Sequence, residues 1–256
     1  MQVSLITCTF NSEKTIKNCC ISILNQNYEN IEHIVVDNNS IDSSIKIIES
    51  CKINNQKIIR QKSKGIYGAL NEGINHSSGE IIGVLHSDDI YYNNEIISDV
   101  VKIFKEKDVD VLYSNLIYTK KYDTDKILRK WKNKMNEGIQ SSENIEKYIK
   151  SGWMPPHPTI FLKKKLISKY DLKYEENLKI SSDYDFIIKL FLNKFLKIYF
   201  LNMYSIKMRY GGASNKNLKN ILIKMKEDYS ILKKYKFNPI KIILLKNFSK
   251  IKQFLK

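Results

Sequence analysis

The chain has 256 residues, 43% of them hydrophobic and 27% charged, which allows one sizeable core and is ordinary for a globular protein. No apolar run reaches the roughly eighteen residues of a membrane span, and Met1-Gln2-Val3-Ser4 lacks the basic start of a signal peptide, so a cytoplasmic protein is expected. The net charge of +16 invites a nucleic-acid partner, but only Arg60, Arg129 and Arg209 among 43 basic residues are arginine, and specific readers of phosphates and bases rely on arginine; no nucleic acid is expected.

In chain order, Val3 to Thr9 reads as a buried strand, followed by a helix starting near Ser12 with Asn11 or Ser12 as its cap. Ile31 to Asp37 is a second strand and Ser40 to Cys51 a second helix. Lys57 to Gln61 gives a third strand, Gly65 to His76 a helix, Ile81 to His86 a fourth strand, Asn94 to Lys107 a helix and Val109 to Ile117 a fifth strand. This alternation predicts a mainly parallel sheet with helices on both faces. The four cysteines (Cys8, Cys19, Cys20, Cys51) lack C-x-x-C spacing and read as reduced thiols. Beyond Tyr118 the rhythm breaks. Lys120 to Lys150 reads as hairpin or loop plus a short helix from Ser142, and Pro155, Pro156 and Pro158 exclude helix in the next stretch. Helices at Lys163 to Tyr170 and Ser182 to Asn193, a strand at Lys197 to Lys207, and terminal helices at Leu218 to Tyr235 and Ile240 to Leu255 complete the reading.

The chemistry-bearing residues gather at the carboxyl ends of the first four strands. They are Thr7-Cys8-Thr9-Phe10-Asn11, Asp37-Asn38-Asn39-Ser40, Lys64-Gly65-Ile66-Tyr67 and Ser87-Asp88-Asp89. In a parallel sheet these ends share one edge, where open α/β sheets bind ligands. Adjacent carboxylates repel and raise each other's pKa unless a cation lies between them or water solvates them. Mg²⁺ uses one or two protein carboxylates plus substrate phosphates. A polar turn after a strand accounts for Ser87-Asp88-Asp89 equally well when that tripeptide is taken alone. An aromatic, a carboxylate beside amides, a basic residue and a metal-binding pair together suit a nucleoside diphosphate.

The segments V-S-L-I-T-C-T-F-N (3–11), I-V-V-D-N-N-S-I-D-S-S (34–44), K-G-I-Y-G-A-L-N-E-G-I (64–74) and S-G-E-I-I-G-V-L-H-S-D-D (78–89), followed by H-P-T-I-F (157–161), Y-E-E-N-L (174–178), S-D-Y-D-F (182–186) and G-G-A-S (211–214), resemble the family-2 glycosyltransferases. The subgroup most resembled contains small bacterial enzymes of surface-polysaccharide assembly. The resemblance implies a GT-A fold over 1–214, with a nucleotide-sugar-binding half (1–117), an acceptor-binding half (118–214) and a basic helical tail (215–256). It implies a nucleotide-sugar donor, UDP-linked in the commonest case, a saccharide or lipid-linked acceptor, and Mn²⁺ or Mg²⁺.

Carried over by position, Thr7, Thr9, Phe10 and Asn11 would frame the base, Asp37 would accept from a base N–H, and Asn39, Lys64 and Gly65 would complete the donor site. Asp88 would bond the ribose or donor sugar and Asp89 would hold the metal. Asp183 matches the general base, with Asp185 as the competing candidate; on the residues alone, Asp183 is equally a first-turn carboxylate favoured by the helix dipole. Three positions depart from the family pattern: Gly68 stands where an aspartate is usual, Pro158 replaces a glutamine after His157, and Ser182 replaces an acidic residue. No Q-x-x-R-W element occurs, which the resemblance reads as single-sugar addition. The rival readings are a sugar-nucleotide pyrophosphorylase and an inactive scaffold. The first wants glycine and a basic residue after the first strand, and the second is at odds with an intact Asp88-Asp89 and Asp183.

The tail carries twelve lysines against Glu227 and Asp228. On a helical wheel Ile240, Ile243, Leu244, Phe248, Ile251, Phe254 and Leu255 fall within an arc of roughly 140°, with Lys241, Lys246, Lys250, Lys252 and Lys256 outside it. That pattern fits either an interfacial helix on an anionic membrane, through 240–256, or a helix packed on the domain.

Overall fold

The computed structural model describes residues 1–133, 135–211 and 218–254. Strands β1 (Val3–Thr9), β2 (Ile31–Asp37), β3 (Gln56–Arg60) and β4 (Ile81–Val84) run parallel, in the spatial order β3-β2-β1-β4. Every residue of β1, β2 and β4 is buried, because helices cover both faces; hence the largely apolar sequences of these strands. Alternation then sorts the side chains. Val3 and Leu5 face α1 (Ile16–Leu24) and α2 (Ser44–Ser50), whereas Ile6 and Cys8 face α3 (Gly65–His76).

Beyond β4 the sheet is mixed. Among the described residues it continues through β9 (Phe161–Lys163), β6 (Val111–Thr119) and β10 (Ile198–Arg209) to β5 (Ile90–Tyr91), with β7 (Ile127–Trp131) on β6 and β8 (Gly138–Gln140) on β10. β6 and β10 are parallel; β5, β7, β8 and β9 pair antiparallel. The expected parallel order thus holds for the first four strands and gives way where the connections become hairpins and short returns. The remaining helices are α4 (Ile96–Lys107), α5 (Ser142–Lys150), α6 (Lys165–Lys169), α7 (Ser182–Phe191), α8 (Leu218–Lys234) and α9 (Pro239–Phe254).

One expected cap is corrected. Helix α1 starts at Ile16, with Thr15 at the cap position and no side-chain cap. Asn11 and Ser12 instead tie loops together: Asn11 Oδ1 accepts from the Ile41 N–H at 2.9 Å, and the hydroxyls of Ser12 and Ser87 lie 3.0 Å apart.

At the opposite end of the sheet the buried Glu32 carboxylate accepts from Ser4, Ser78 and Lys57, and these partners hold it down at about 2 against the effect of burial. His33, wholly buried between Thr7 and Gln56, is pushed down to about 4 by desolvation. Its unfolded value is about 6.5, so the unfolded chain takes up the proton first as pH falls, and stability is lost from about pH 6.5 downward until the folded ring protonates. Between pH 7.5 and 5 this costs about 2 kcal/mol. Urea titrations at both pH values should therefore give wild type a steeper acid loss than His33→Gln. Equal slopes would mean that His33 charges freely in the fold.

Candidate active site

The carboxyl ends of β1, β2 and β3 are laced together by their own loops. Asp37 accepts from the Ser40 N–H (3.0 Å) and hydroxyl, the Ser40 hydroxyl accepts from the Asn11 N–H (2.9 Å), and Arg60 Nε donates to Asn39 Oδ1. Asn11 and Asn39 both have positive φ (48° and 55°), a backbone that asparagine tolerates better than most residues. Phe10 stands at the rim, 57% exposed. Thr9 is buried with a hydroxyl that has no partner, at the last residue of β1. Thr7 is separated from this group. Two residues inside the strand end, or about 6.6 Å, its hydroxyl lies 3.0 Å from His33 Nε2 within the sheet. Lys64 is the exposed, extended residue that caps α3, and Gly65 opens that helix at φ +72° with nothing within 4 Å of where a Cβ would stand.

At Gly68 a Cβ would lie 2.4 Å from the Ser63 hydroxyl and 3.3 Å from Glu176 Oε2. The space of the missing aspartate is therefore already occupied by these two side chains.

The turn after β4 carries the carboxylate pair. Asp89 N–H donates to the His86 carbonyl at 2.9 Å and closes it. Asp89 is 1% exposed, and neither carboxylate oxygen has a hydrogen-bond partner. Burial, then the neighbouring Asp88, push its pKa well above the carboxylate range, with Arg209 pulling the other way. An unpartnered buried carboxylate is costly, and either a proton or a cation relieves it.

Arg209 is a site residue that the sequence reading missed. Continuing the antiparallel register of β10 on β5 (Lys207 opposite Ile90) sets Arg209 opposite Asp88, and its Nη1 donates to the Asp88 carbonyl while its Nε has no partner. The one available signal was the scarcity of arginine; nothing local placed β10 beside β5.

Asp183 and Asp185 occupy the first turn of α7 and have different fates. The Asp185 carboxylate is buried and paired with Lys234 Nζ at 2.9 and 3.1 Å. Asp183 is half-buried and accepts from the Tyr184 N–H at 2.8 Å. Burial raises the Asp183 pKa, against the pull of Lys224 and Lys246. His86, at the end of β4, feels both Asp88 and Asp183, and Tyr118 feels both Asp89 and Asp183, so the two carboxylate groups share one electrostatic neighbourhood. Behind them His157 Nε2 lies 2.6 Å from the Tyr174 hydroxyl, and the Tyr174 ring stacks on Phe186 at 4.4 Å. His157 is thus a buried packing residue, pushed down to about 3 by desolvation and by His86. The segment Gly212-Ala213-Ser214 lies outside the described residues. A cavity of about 560 Å³ opens instead beside Gly79, Glu80 and Lys163–Lys165, at the amino ends of the strands and away from these groups.

The Glycosyl transferase family 2 profile matches residues 4–168, well over half of the chain. The chain belongs to this family. It is an enzyme, a glycosyltransferase, and its fold is GT-A. An uncharacterized glycosyltransferase of Methanocaldococcus jannaschii, MJ1057, is 28% identical over 218 residues, 83% of this chain and 72% of that protein. The UDP-Glc:alpha-D-GlcNAc-diphosphoundecaprenol beta-1,3-glucosyltransferase WfgD of Escherichia coli is 32% identical over 114 residues, 44% of this chain and 45% of that protein. Among solved structures, S. aureus TarS 1–349 in complex with UDP-GlcNAc superposes with a TM-score of 0.70 at 22% identity, covering 91% of the glycosyltransferase described here and 67% of TarS 1–349. The mannosyltransferase PcManGT of Pyrobaculum calidifontis, in complex with GDP-Man and Mn²⁺, gives 0.63 at 14% identity, over 95% of this chain and 68% of that one. The chain spans less than two thirds of WfgD, at 45%, and of a longer TarS chain, at 39%.

Proposed function

We propose that the enzyme transfers a single sugar, with inversion, from a nucleotide-sugar (in the first instance a UDP-sugar) to a hydroxyl of a saccharide or lipid-linked acceptor in bacterial surface-polysaccharide assembly. The observation that carries this reading is an unpartnered, buried Asp89 and a half-buried Asp183 whose charges act on the same Tyr118. In this reading Phe10 faces the base, Asp37 accepts from a base N–H, and Asp88 bonds the ribose or sugar. Asn11, Asn39, Thr9 and Gly65 shape the rim, and Thr7 supports it from within the sheet. Asp89 would hold Mn²⁺ or Mg²⁺; when bound, such an ion supplies Lewis-acid stabilisation to the departing diphosphate. Among the described residues no third carboxylate, histidine or thiolate joins the pair, a donor set that leaves coordination positions for phosphate oxygens. Asp183 takes the acceptor proton during a single in-line attack, and its upward-shifted pKa brings it closer to the pH at which it works. Asp185 is engaged by Lys234 and is not available for that role. The UDP-Glc and diphosphoundecaprenol in the name of WfgD support a UDP donor and a lipid-linked acceptor.

A thermal-shift screen of nucleotides and nucleotide-sugars, with and without Mn²⁺, tests the donor site. A ligand at a hundred times its Kd should stabilise by roughly 2.7 kcal/mol, some 5–11 °C at about 2–4 °C per kcal/mol for a chain this size. A shift with one nucleotide class, enlarged by Mn²⁺, is expected. A folded protein that responds to none would move the reading to a scaffold.

The acceptor reading extends to a membrane surface. Helix α9 packs on the domain through Ile242 and Lys246, with Ile243 of the arc partly buried against the same cluster, while Ile240 (65% exposed) and Leu244 (53%) face outward. Leu218 and Leu222 of α8 are exposed as well. Of the arc, Leu255 lies outside the described residues, and Phe248, Ile251 and Phe254 are described in backbone alone. The tail's two acidic side chains are both consumed internally, Glu227 by backbone N–H groups and Asp228 by Lys246. An outward face of apolar and lysine side chains suits anionic lipid, at about 1 kcal/mol per lysine near the surface. No helix among the described residues is long and apolar enough to cross a membrane. Cosedimentation with anionic vesicles, lost in Ile240→Glu/Leu244→Glu and absent with neutral vesicles, is the expected result; equal partitioning of the variant would remove the membrane from the proposal.

A further inference from the structure

The tail reaches the base helix at three places. Glu227 of α8 accepts from the N–H groups of Lys179 (2.8 Å), Ile180 (3.0 Å) and Ser181 (2.9 Å), the segment that enters α7. Lys234 pairs with Asp185. Lys246 of α9, only 8% exposed, forms an ion pair with the buried Asp228 at 2.9 Å and sits 3.6 Å from the centre of the Tyr184 ring. Its backbone is also locked. At Gly152 (φ +81°) a Cβ would stand 2.5 Å from the Lys246 nitrogen, so that only glycine lets α9 come this close. The apolar contacts Tyr184, Ile188, Ile231, Leu232 and Ile242 join the same three helices.

Burying a lysine at a place where leucine or methionine would fit costs several kcal/mol of desolvation, which an ion pair offsets only with good geometry. A hydrophobic residue would seat the helix as well or better. The charge therefore calls for a reason beyond packing, and the residue beside Tyr184 is Asp183.

We propose that the α8–α9 hairpin is the clamp of the catalytic base, with Glu227 and Lys246 as positioning residues that set the first turn of α7 and the Asp183 carboxylate within it. This rests on the reading of Asp183 as the base. Glu227 fixes the chain at the entry to α7, and Lys246 fixes the ring one residue beyond Asp183. The charged groups that act on Asp183 are Lys224, Asp228 and Lys246 from the hairpin, and His86 from the end of β4. Its charge is also felt by the phenols of Tyr67, Tyr174 and Tyr118. The two lysines oppose the upward push of burial, so removing Lys246 raises the pH at which Asp183 takes up its proton.

The test uses the full-length chain with Lys246→Met, Lys246→Arg and the double variant Lys246→Met/Asp228→Asn, which removes both members of the buried pair. The readouts are kcat and KM for the nucleotide-sugar, Tm, and the titration of the Asp183 carboxyl followed by ¹³C NMR against an Asp183→Asn control. Lys246→Met should lower kcat at least tenfold with KM within about threefold, and move the Asp183 titration upward; Lys246→Arg should retain most of the activity. The double variant should recover Tm but not kcat. An unchanged Asp183 titration in Lys246→Met, or a double variant whose kcat returns along with its Tm, would overturn the clamp and leave Lys246 a packing residue. The NMR arm needs no turnover, so Asp183→Asn retaining full activity would sink the base assignment separately, while the titration still decides whether Lys246 acts on Asp183.

Discussion

Asp183→Asn should lower kcat by roughly 10²–10⁴-fold, the usual contribution of a positioned general base, while nucleotide-sugar binding stays near wild type. The amide retains the size of the side chain and can still accept from the Tyr184 N–H, so the fold should be undisturbed. Asp185→Asn is the matched control. It removes the charge that Lys234 pairs with, and because Lys234 is itself half exposed, the loss should be about 1 kcal/mol with kcat within a few-fold. Steady-state kinetics and thermal denaturation of both variants decide between the two carboxylates. Near-normal turnover in Asp183→Asn, with a collapse in Asp185→Asn, would reverse the assignment.

Asp89→Asn should make the protein more stable and inactive at once. The wild-type carboxyl is buried without partners and its pKa is well above the ordinary value. At pH 7 the fold must either bury a charge or take up a proton that the unfolded chain does not hold, and a neutral amide removes that cost, so that Tm should rise. The sign follows from the linkage. A carboxyl raised in the fold destabilises above its unfolded value of about 3.9, and the penalty vanishes below it, where both states are protonated. The advantage of Asp89→Asn should accordingly shrink as pH falls toward 4. The same variant should lose the Mn²⁺-dependent part of the nucleotide shift. A variant less stable than wild type at pH 7, or one with the metal response intact, would assign Asp89 a structural role. Functional sites commonly hold such unsatisfied groups at the expense of stability.

The elements of the first half were legible because each is a local pattern. Largely apolar runs mark β1, β2 and β4, and the Gly65-to-His76 pattern matches α3 at both ends. The helix preceding β2 was misplaced at its start, since Asn11 and Ser12 are good caps in isolation but are taken by Ser40, Ile41 and Ser87 in the fold. Asp88, Asp89 and Asp183 were legible as motif residues. Arg209 was not, because it meets Asp88 only through the pairing of β10 with β5, across more than a hundred residues. Lys246 falls outside the apolar arc of the helical wheel, yet it is buried because Asp228 and the Tyr184 ring receive it, a contact that a helical wheel cannot contain.

What the amino-acid order determined by itself is the parallel group β1 to β4 with the helices between them, the edge on which the loops of those strands end, and hence the family. Those follow from periodicity and strand direction, which are short-range. The tertiary structure alone decided which of Asp183 and Asp185 is left accessible, that Asp89 is buried without partners, and that the basic tail turns Lys246 inward while Ile240 and Leu244 face outward. Each of these depends on which distant side chain arrives to satisfy a charge, and in a low-dielectric interior that pairing outweighs local preference.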